Sequence, residues 1–396
     1  MPWTTPPGAG ATVYIWNGYS LAERDRRWRA VRANAAKAGV DCILVPLGNG
    51  IDGRYMTQLR CSAMVLPTDE RAPIVIADRK SSNQWVPDPW QTGREWAEPM
   101  GEALLDLGMD RARVGVVGLN SGSFTHCGSL DGVVNHTAFE HVLSKVPNAS
   151  FEDATDVVGA VRYVKSDEEI AFVRRSADVA AAGLDELIKL ARPEADAGML
   201  YAGVLQRLLE LRSEYFPLAL TIDAIGAARP KRYTKPPIGH RLEKNELITN
   251  EVNAIIGAQL TQVCQPLVLG PIPEAWKPVI ELHKEVYEAG LESIKPGVSF
   301  GTLVDRVNGV DSRLGMKTLI QMHGCGYGDD GPVLNEKFSA DRARELRIEK
   351  GNALVWKPVA MTSDGRMQFC WGGPIVVTEN GAEALFKKEH GMVSIV

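Results

Sequence analysis

The stretch Val164-Lys165-Ser166-Asp167-Glu168-Glu169-Ile170 contains a complete helix start. The Ser166 hydroxyl stands where it can accept from a backbone N–H three residues on, and Glu169 stands where its carboxylate can reach back, the reciprocal pairing of a capping box. Beyond it Ile170, Val173, Ala177, Ala181, Leu184 and Ile188 recur at three- and four-residue spacing. That spacing puts them on one stripe of a long helix, and such a stripe needs a core to pack against. The stretch also divides the chain, because the patterns on its two sides differ.

Upstream, residues 21–38 predict a helix and Val40-Asp41-Cys42-Ile43-Leu44-Val45-Pro46 a buried strand. Strand-like runs at 61–67, 73–77 and 113–117 alternate with helix-like stretches around 94–107 and 132–146. This alternation predicts an α/β N-terminal domain over residues 1–160. Downstream, strands are expected at 246–256, 259–269, 353–361 and 367–377, with helices at 274–294 and 300–307. Strands grouped beside helices predict an α+β domain over residues 161–396. Asn380-Gly381 is a turn signal that stops the last long strand.

A length of 396 residues exceeds what one hydrophobic core usually serves, in keeping with two domains. With 45% hydrophobic and 23% charged residues, the chain is neither disordered nor membranous in composition. A net charge of −5 without a long Lys/Arg block leaves no footprint for nucleic acid, so a nucleic-acid partner is not expected. No apolar run reaches the roughly 18 residues of a membrane span. Residues 1–11, rich in Pro and Gly, have neither the basic nor the apolar region of a secretory signal and read as a flexible tail. The six cysteines, Cys42, Cys61, Cys127, Cys264, Cys325 and Cys370, show no CxxC spacing and suit reduced thiols, so a cytoplasmic location is expected.

Three further segments join the helix start in a recognisable order: Glu288-Ala289-Gly290-Leu291, Ile294-Lys295-Pro296-Gly297 and Val376-Val377-Thr378-Glu379-Asn380-Gly381-Ala382-Glu383. Together they resemble the creatinase and Xaa-Pro peptidase family. The resemblance implies a pita-bread catalytic domain behind a creatinase-like N-terminal domain. It also implies a homodimer in which the N-terminal domain of one subunit borders the site of the other. Metallopeptidases of this family hold two metal ions with two Asp, one His and two Glu. The flanking patterns align those positions with Glu251, Gln262, His323, Lys357 and Gly372 in this chain. Only His323 keeps the family's residue type, and a lysine stands where a bridging carboxylate would be. The expectation is therefore a member without metal or other cofactor. The family's His-x-Pro segment corresponds to Thr234-Lys235-Pro236, and His240 follows six residues after Thr234.

On the same alignment Glu251, His323 and Lys357 share one pocket. A carboxylate can take a proton from water, an imidazole can deliver one to a leaving nitrogen, and an ammonium can stabilise developing negative charge. The bland reading, a buried Lys–Glu pair filling the space left by metal, stays open beside it. Arg232 and Tyr233, in the basic run Arg229-Pro230-Lys231-Arg232-Tyr233-Thr234-Lys235, are candidates for binding a substrate carboxylate. Gln262 and Gln265 replace an Asp and an Arg of the family pattern and are candidates for orienting a polar ligand. Trp356 and Trp371 flank two of the aligned positions and either wall the pocket or pack. Arg60 is a further candidate from the N-terminal half. The expected function is metal-independent hydrolysis of a C–N bond in a small, non-peptide, anionic substrate. A β-elimination lyase of the dimethylsulfoniopropionate-cleaving kind and a non-catalytic binding module are the alternatives.

Overall fold

The structure is a computed structural model describing residues 18–47, 50–60, 62–78, 82–92, 96–119, 134–225, 239–310, 315–334 and 344–396. The chain forms two compact units that part between Val161 and Arg162.

In the first unit a six-stranded mixed sheet runs in the order Trp90–Thr92, Ile74–Asp78, Ser62–Pro67, Cys42–Val45, Arg113–Val116, Ser150–Asp153. Its central strands are buried along their length, which is why they read as continuous apolar runs rather than alternating ones. The helices Ala97–Asp106 and His136–Lys145 place Met100, Ala103, Leu104 and Val142 in the core beside Val114 and Val116. The helix Leu21–Ala38 has the expected bounds and starts on a Ser20 cap. It buries Arg27 completely: the guanidinium pairs with Glu23 at 2.7 Å and lies 4.3 and 4.0 Å from the rings of Tyr19 and Tyr55. A charge removed from water is held there by the Glu23 carboxylate, the Tyr55 carbonyl and three aromatic rings, the third that of Trp85 at 5.2 Å.

In the second unit Ser166 opens the helix Asp167–Leu190 with both halves of the capping box in place. The buried stripe is Val173, Ser176, Ala177, Ala180, Gly183, Leu184 and Leu187. Ile170, Ala181 and Ile188, assigned to it by spacing, lie at its margin. Gly183 lets this helix pack closely on two neighbours, since a Cβ there would stand 2.6 Å from Leu208 of the helix Ala197–Glu210 and 3.0 Å from Val252 of the sheet. Below this helix lies a sheet in which Glu246–Ile256 pairs with Ala219–Ala224, Leu267–Val268 and Gln259–Val263. A second antiparallel sheet runs Asp329–Leu334, Met322–Cys325, Ala353–Trp356, Gly373–Thr378, Gly381–Ala384. The helix Lys277–Ser293 buries Val279, Leu282, Val286 and Tyr287 in the same core.

Three expected long strands are each two shorter ones. Residues 259–269 divide at Pro266, 353–361 at Lys357-Pro358, and 367–377 at Trp371-Gly372. At the last two breaks the chain crosses from the five-stranded sheet to a three-stranded one, made of Met316–Leu319, Val359–Thr362 and Gln368–Cys370, and then back again. Proline has no N–H for a ladder and Gly372 has φ +148, so each break has a local cause. Sequence periodicity did not reveal the helices Gly50–Thr57 and Ala197–Glu210 or the strands Trp90–Thr92, Ser150–Asp153 and Ala219–Ala224.

Candidate functional site

The turn at Gly257-Ala258 sets one side of the site. Both residues have positive φ, +62 and +60, the geometry of a two-residue hairpin whose twist matches its strands. It pairs Ile256 with Gln259 and so, three steps on, Asn253 with Gln262. Side chains alternate along a strand. Even-numbered Val252 faces the long helix, and Glu251, Asn253 and Gln262 therefore share the opposite face. The other side comes from the second sheet, where His323 pairs with Val355, and Lys357 lies two residues along on the same face. Backbone bridges Leu260–Gly326 and Cys264–Gly372 stitch the two sheets together.

On that shared face the side chains form a chain of contacts. Lys357 Nζ donates to Glu251 Oε1 at 3.0 Å and to Gln262 Oε1. His323 Nε2 stands 3.0 Å from the same Gln262 oxygen, and its Nδ1 stands 2.9 Å from the Gly324 carbonyl. Lys357, Gln262 and His323 are buried, while the Glu251 side chain keeps 15% of its surface. Burial alone would lower the Lys357 pKa, but the Glu251 carboxylate, followed by the thiols of Cys264 and Cys370, holds it above the ordinary lysine range. Lys357 is an ammonium. An ammonium only donates, so it fixes the Gln262 amide with oxygen inward, and that oxygen is an acceptor toward His323 as well. His323 thus faces two acceptors. A neutral imidazole has one N–H, so only the doubly protonated ring satisfies both.

This donor set does not fit two divalent cations. Of the five aligned positions one is a carboxylate, already bound to an ammonium, and one is an imidazole engaged at both nitrogens. At Gly372 a Cβ would lie 2.1 Å from the Trp356 carbonyl oxygen and 3.0 Å from Lys357 Cα, so no side chain fits. Among the described residues no three His, Cys, Asp or Glu side chains gather as metal ligands. Hard cations need several charged oxygens around them.

The remaining candidates have other positions. Gln265 is buried and donates to the carbonyls of Glu389 and Gly391 at 3.0 and 3.2 Å, which ties down the C-terminal segment. Trp356 donates to the Tyr287 carbonyl at 3.1 Å beneath the helix Lys277–Ser293, on the face away from Lys357. Trp371 packs on Tyr287, Phe386 and His390. Both indoles belong to the core rather than to a pocket wall. Their sequence proximity to Lys357 and Gly372 misleads because neighbours on a strand point to opposite faces. His240 pairs with Glu246 at 3.0 Å, five residues along the strand from Glu251, a span of about 17 Å. Arg60 is exposed in the first unit, and Arg232 and Tyr233 lie outside the described residues.

Sequence reading missed Asn253, which register alone places beside Gln262. It also missed His283 and His390, in contact at 2.8 Å behind the Lys357-Pro358 break, where His283 Nε2 stands 2.9 Å from the Pro358 carbonyl. The Gly257-Ala258 turn between two strand-like runs was the available signal for the first. Nothing local signalled the second pair, whose members are 107 residues apart.

Residues 171–380 match the sequence profile of Metallopeptidase family M24. Creatinase from a Bacillus species is 24% identical across 95% of this chain and 94% of its own length. Xaa-Pro dipeptidase from Pyrococcus furiosus is 21% identical across 67% of this chain and 74% of its own. Among solved structures, X-Pro aminopeptidase from Thermotoga maritima superimposes with a TM-score of 0.75 at 15% identity, over 93% of this chain and 99% of that one. Xaa-Pro dipeptidase from Bacillus anthracis gives the same TM-score and identity over 94% of this chain. Fold, element order and the profile match agree, and the chain belongs to metallopeptidase family M24 as a creatinase/prolidase-like hydrolase of pita-bread fold.

Proposed function

We propose that this protein hydrolyses a C–N bond of a small, non-peptide, anionic molecule without a bound metal. The observation that carries this reading is the Lys357 ammonium held between Glu251 and Gln262, with His323 on the other side of the same amide. With His323 doubly protonated, Glu251 contributes −1 and Lys357 and His323 +1 each, so the cluster is net positive and favours an anion. His323 then begins the reaction as the acid. Glu251, the most exposed of the group, takes a proton from water as the C–O bond forms, and His323 gives its proton to the departing nitrogen as the C–N bond breaks. Lys357 stabilises negative charge developing at the carbon's oxygen or nitrogen substituent. The proton on Glu251 afterwards restores His323 through solvent, so none is gained or lost.

The test is a panel of small amidines, ureido acids and N-acyl amino acids, assayed for release of the nitrogen product with and without a strong chelator. The expected result is turnover that survives chelation, from protein containing less than stoichiometric zinc, manganese or cobalt. Turnover lost on chelation and restored by metal would sink the reading. The working form is proposed to be a cytoplasmic homodimer, a reading supported by the family resemblance. A single monomeric species in sedimentation at micromolar concentration would refute it.

A further inference from the structure

Asn253 is 3% exposed and lies on the same strand face as Glu251. Its amide nitrogen donates to the Pro217 carbonyl at 3.0 Å and to the Glu251 carbonyl at 3.3 Å, which fixes the side chain with its oxygen turned the other way. That oxygen is buried and has no hydrogen-bond partner among the described residues. Directly across the strand pair stands Gln262, its Cβ about 5 Å from that of Asn253. Both contacts of Gln262 use its oxygen, leaving the –NH2 end without a bond among the described residues. The unpartnered acceptor of Asn253 and the unused donor of Gln262 thus belong to residues paired across the two strands, each amide held by its opposite end.

Buried polar groups in folded proteins are nearly always paired, so an orphan acceptor beside an unused donor marks where a ligand's polar edge belongs. The complement of an acceptor–donor pair is a donor–acceptor pair on adjacent atoms, which is the edge of a cis amide, H–N–C=O. We infer that Asn253 and Gln262 are the specificity element of the site and read such an edge, as found in lactams and cyclic ureides. The substrate N–H donates to Asn253 Oδ1, and its carbonyl accepts from Gln262 Nε2. This inference rests on the reading of the site as one for a small C–N substrate, and it commits that substrate to a class. Neither an ester, which lacks the N–H, nor an N-alkylated amide can satisfy Asn253.

The experiment compares three matched anionic probes on the wild-type protein by titration calorimetry. These are 5-oxoproline, its N-methyl derivative, and the corresponding γ-lactone carboxylate. The lactam is expected to bind at least tenfold more tightly than either analogue, since sites built around a substrate N–H discriminate strongly against its loss. Asn253→Leu should abolish that preference while leaving weak binding of all three, with thermal melting as the control for folding. The wild-type series decides alone if the variant does not fold. Equal binding of the three probes, or binding of none, overturns the inference. Turnover of the substrate panel with no lactam preference also overturns it, and leaves the reaction reading standing. Lactam preference with no turnover of any compound does the reverse.

Discussion

Lys357 governs the pocket at the scale of the residue. Its ammonium neutralises Glu251, orients Gln262 and through that amide makes His323 a donor. Replacing His323 with Asn keeps hydrogen bonding but removes proton exchange. Turnover should fall by ~10²-fold or more, with the melting temperature and ligand binding nearly unchanged. Glu251→Gln should behave alike, and near-native rates from either variant would return these residues to a packing role. Lys357→Met acts differently. Removing one partner of a buried pair costs about 3–5 kcal/mol where the other charge stays buried. Glu251 keeps some solvent, so the loss here should be nearer 1–3 kcal/mol, measured by urea unfolding. The double variant Lys357→Met with Glu251→Gln should recover part of it. Independent, additive losses would show that the two side chains are not coupled.

At the scale of the element, the breaks and turns that shape the site depend on backbone conformations few residues adopt. Gly372→Ala would drive a Cβ into the Trp356 carbonyl at a positive φ, and a loss of about 2 kcal/mol or more is expected. A fully stable Gly372→Ala protein would mean that the crossing between the two sheets is built otherwise. The opposite change is expected at Ala258, a non-glycine residue at φ +60. Ala258→Gly should raise stability by about 0.5–1 kcal/mol by removing left-handed strain from the turn that sets the Asn253–Gln262 register. Calorimetric melting measures both. The capping box at Ser166 is a smaller lever of the same kind, and its loss in Ser166→Ala should cost about 1 kcal/mol.

The whole molecule carries its pH sensitivity in buried groups. Burial, then the neighbouring His390, pushes the His283 pKa down to about 3, and burial with Lys284 nearby brings His390 down to about 4. Both rings are neutral in the folded chain where an unfolded chain, with histidine near 6.5, already binds protons. The unfolded state takes up more protons between pH 6.5 and the folded pKa values, so stability rises with pH across that window and levels off above it. His283 contributes a slope of about 1.4 kcal/mol per pH unit, and half-buried His390 contributes less because solvent screens it. Denaturation midpoints should therefore drop steeply from pH 6.5 to 4, and a His283→Phe variant should show a shallower slope. An equal slope in that variant would place the acid sensitivity elsewhere. The buried carboxylate of Asp330 acts further down: burial would raise its pKa, but Arg162 and Lys165 together hold it below the ordinary range. It adds stability that is lost only in stronger acid.

What the sequence determined by itself is what local chemistry and spacing can encode. The capped helix after Ser166, the α/β half followed by the α+β half, and the resemblance running through Glu288, Lys295 and Asn380 all lie in contiguous segments, where periodicity, caps and turns act over a few residues. The membership of Glu251, Gln262, His323 and Lys357 in one cluster was legible only through that resemblance. Tertiary structure decided the rest, because a strand's two faces have different fates and no local signal says which face meets a partner. It turned Trp356 and Trp371 into the core and drew Gln265 to the C-terminal segment. It set Asn253 beside Gln262 through a register fixed at a two-residue turn. It also brought His283 against His390 across 107 residues of chain, a contact that exists only once two sheets and a helix have closed on one core.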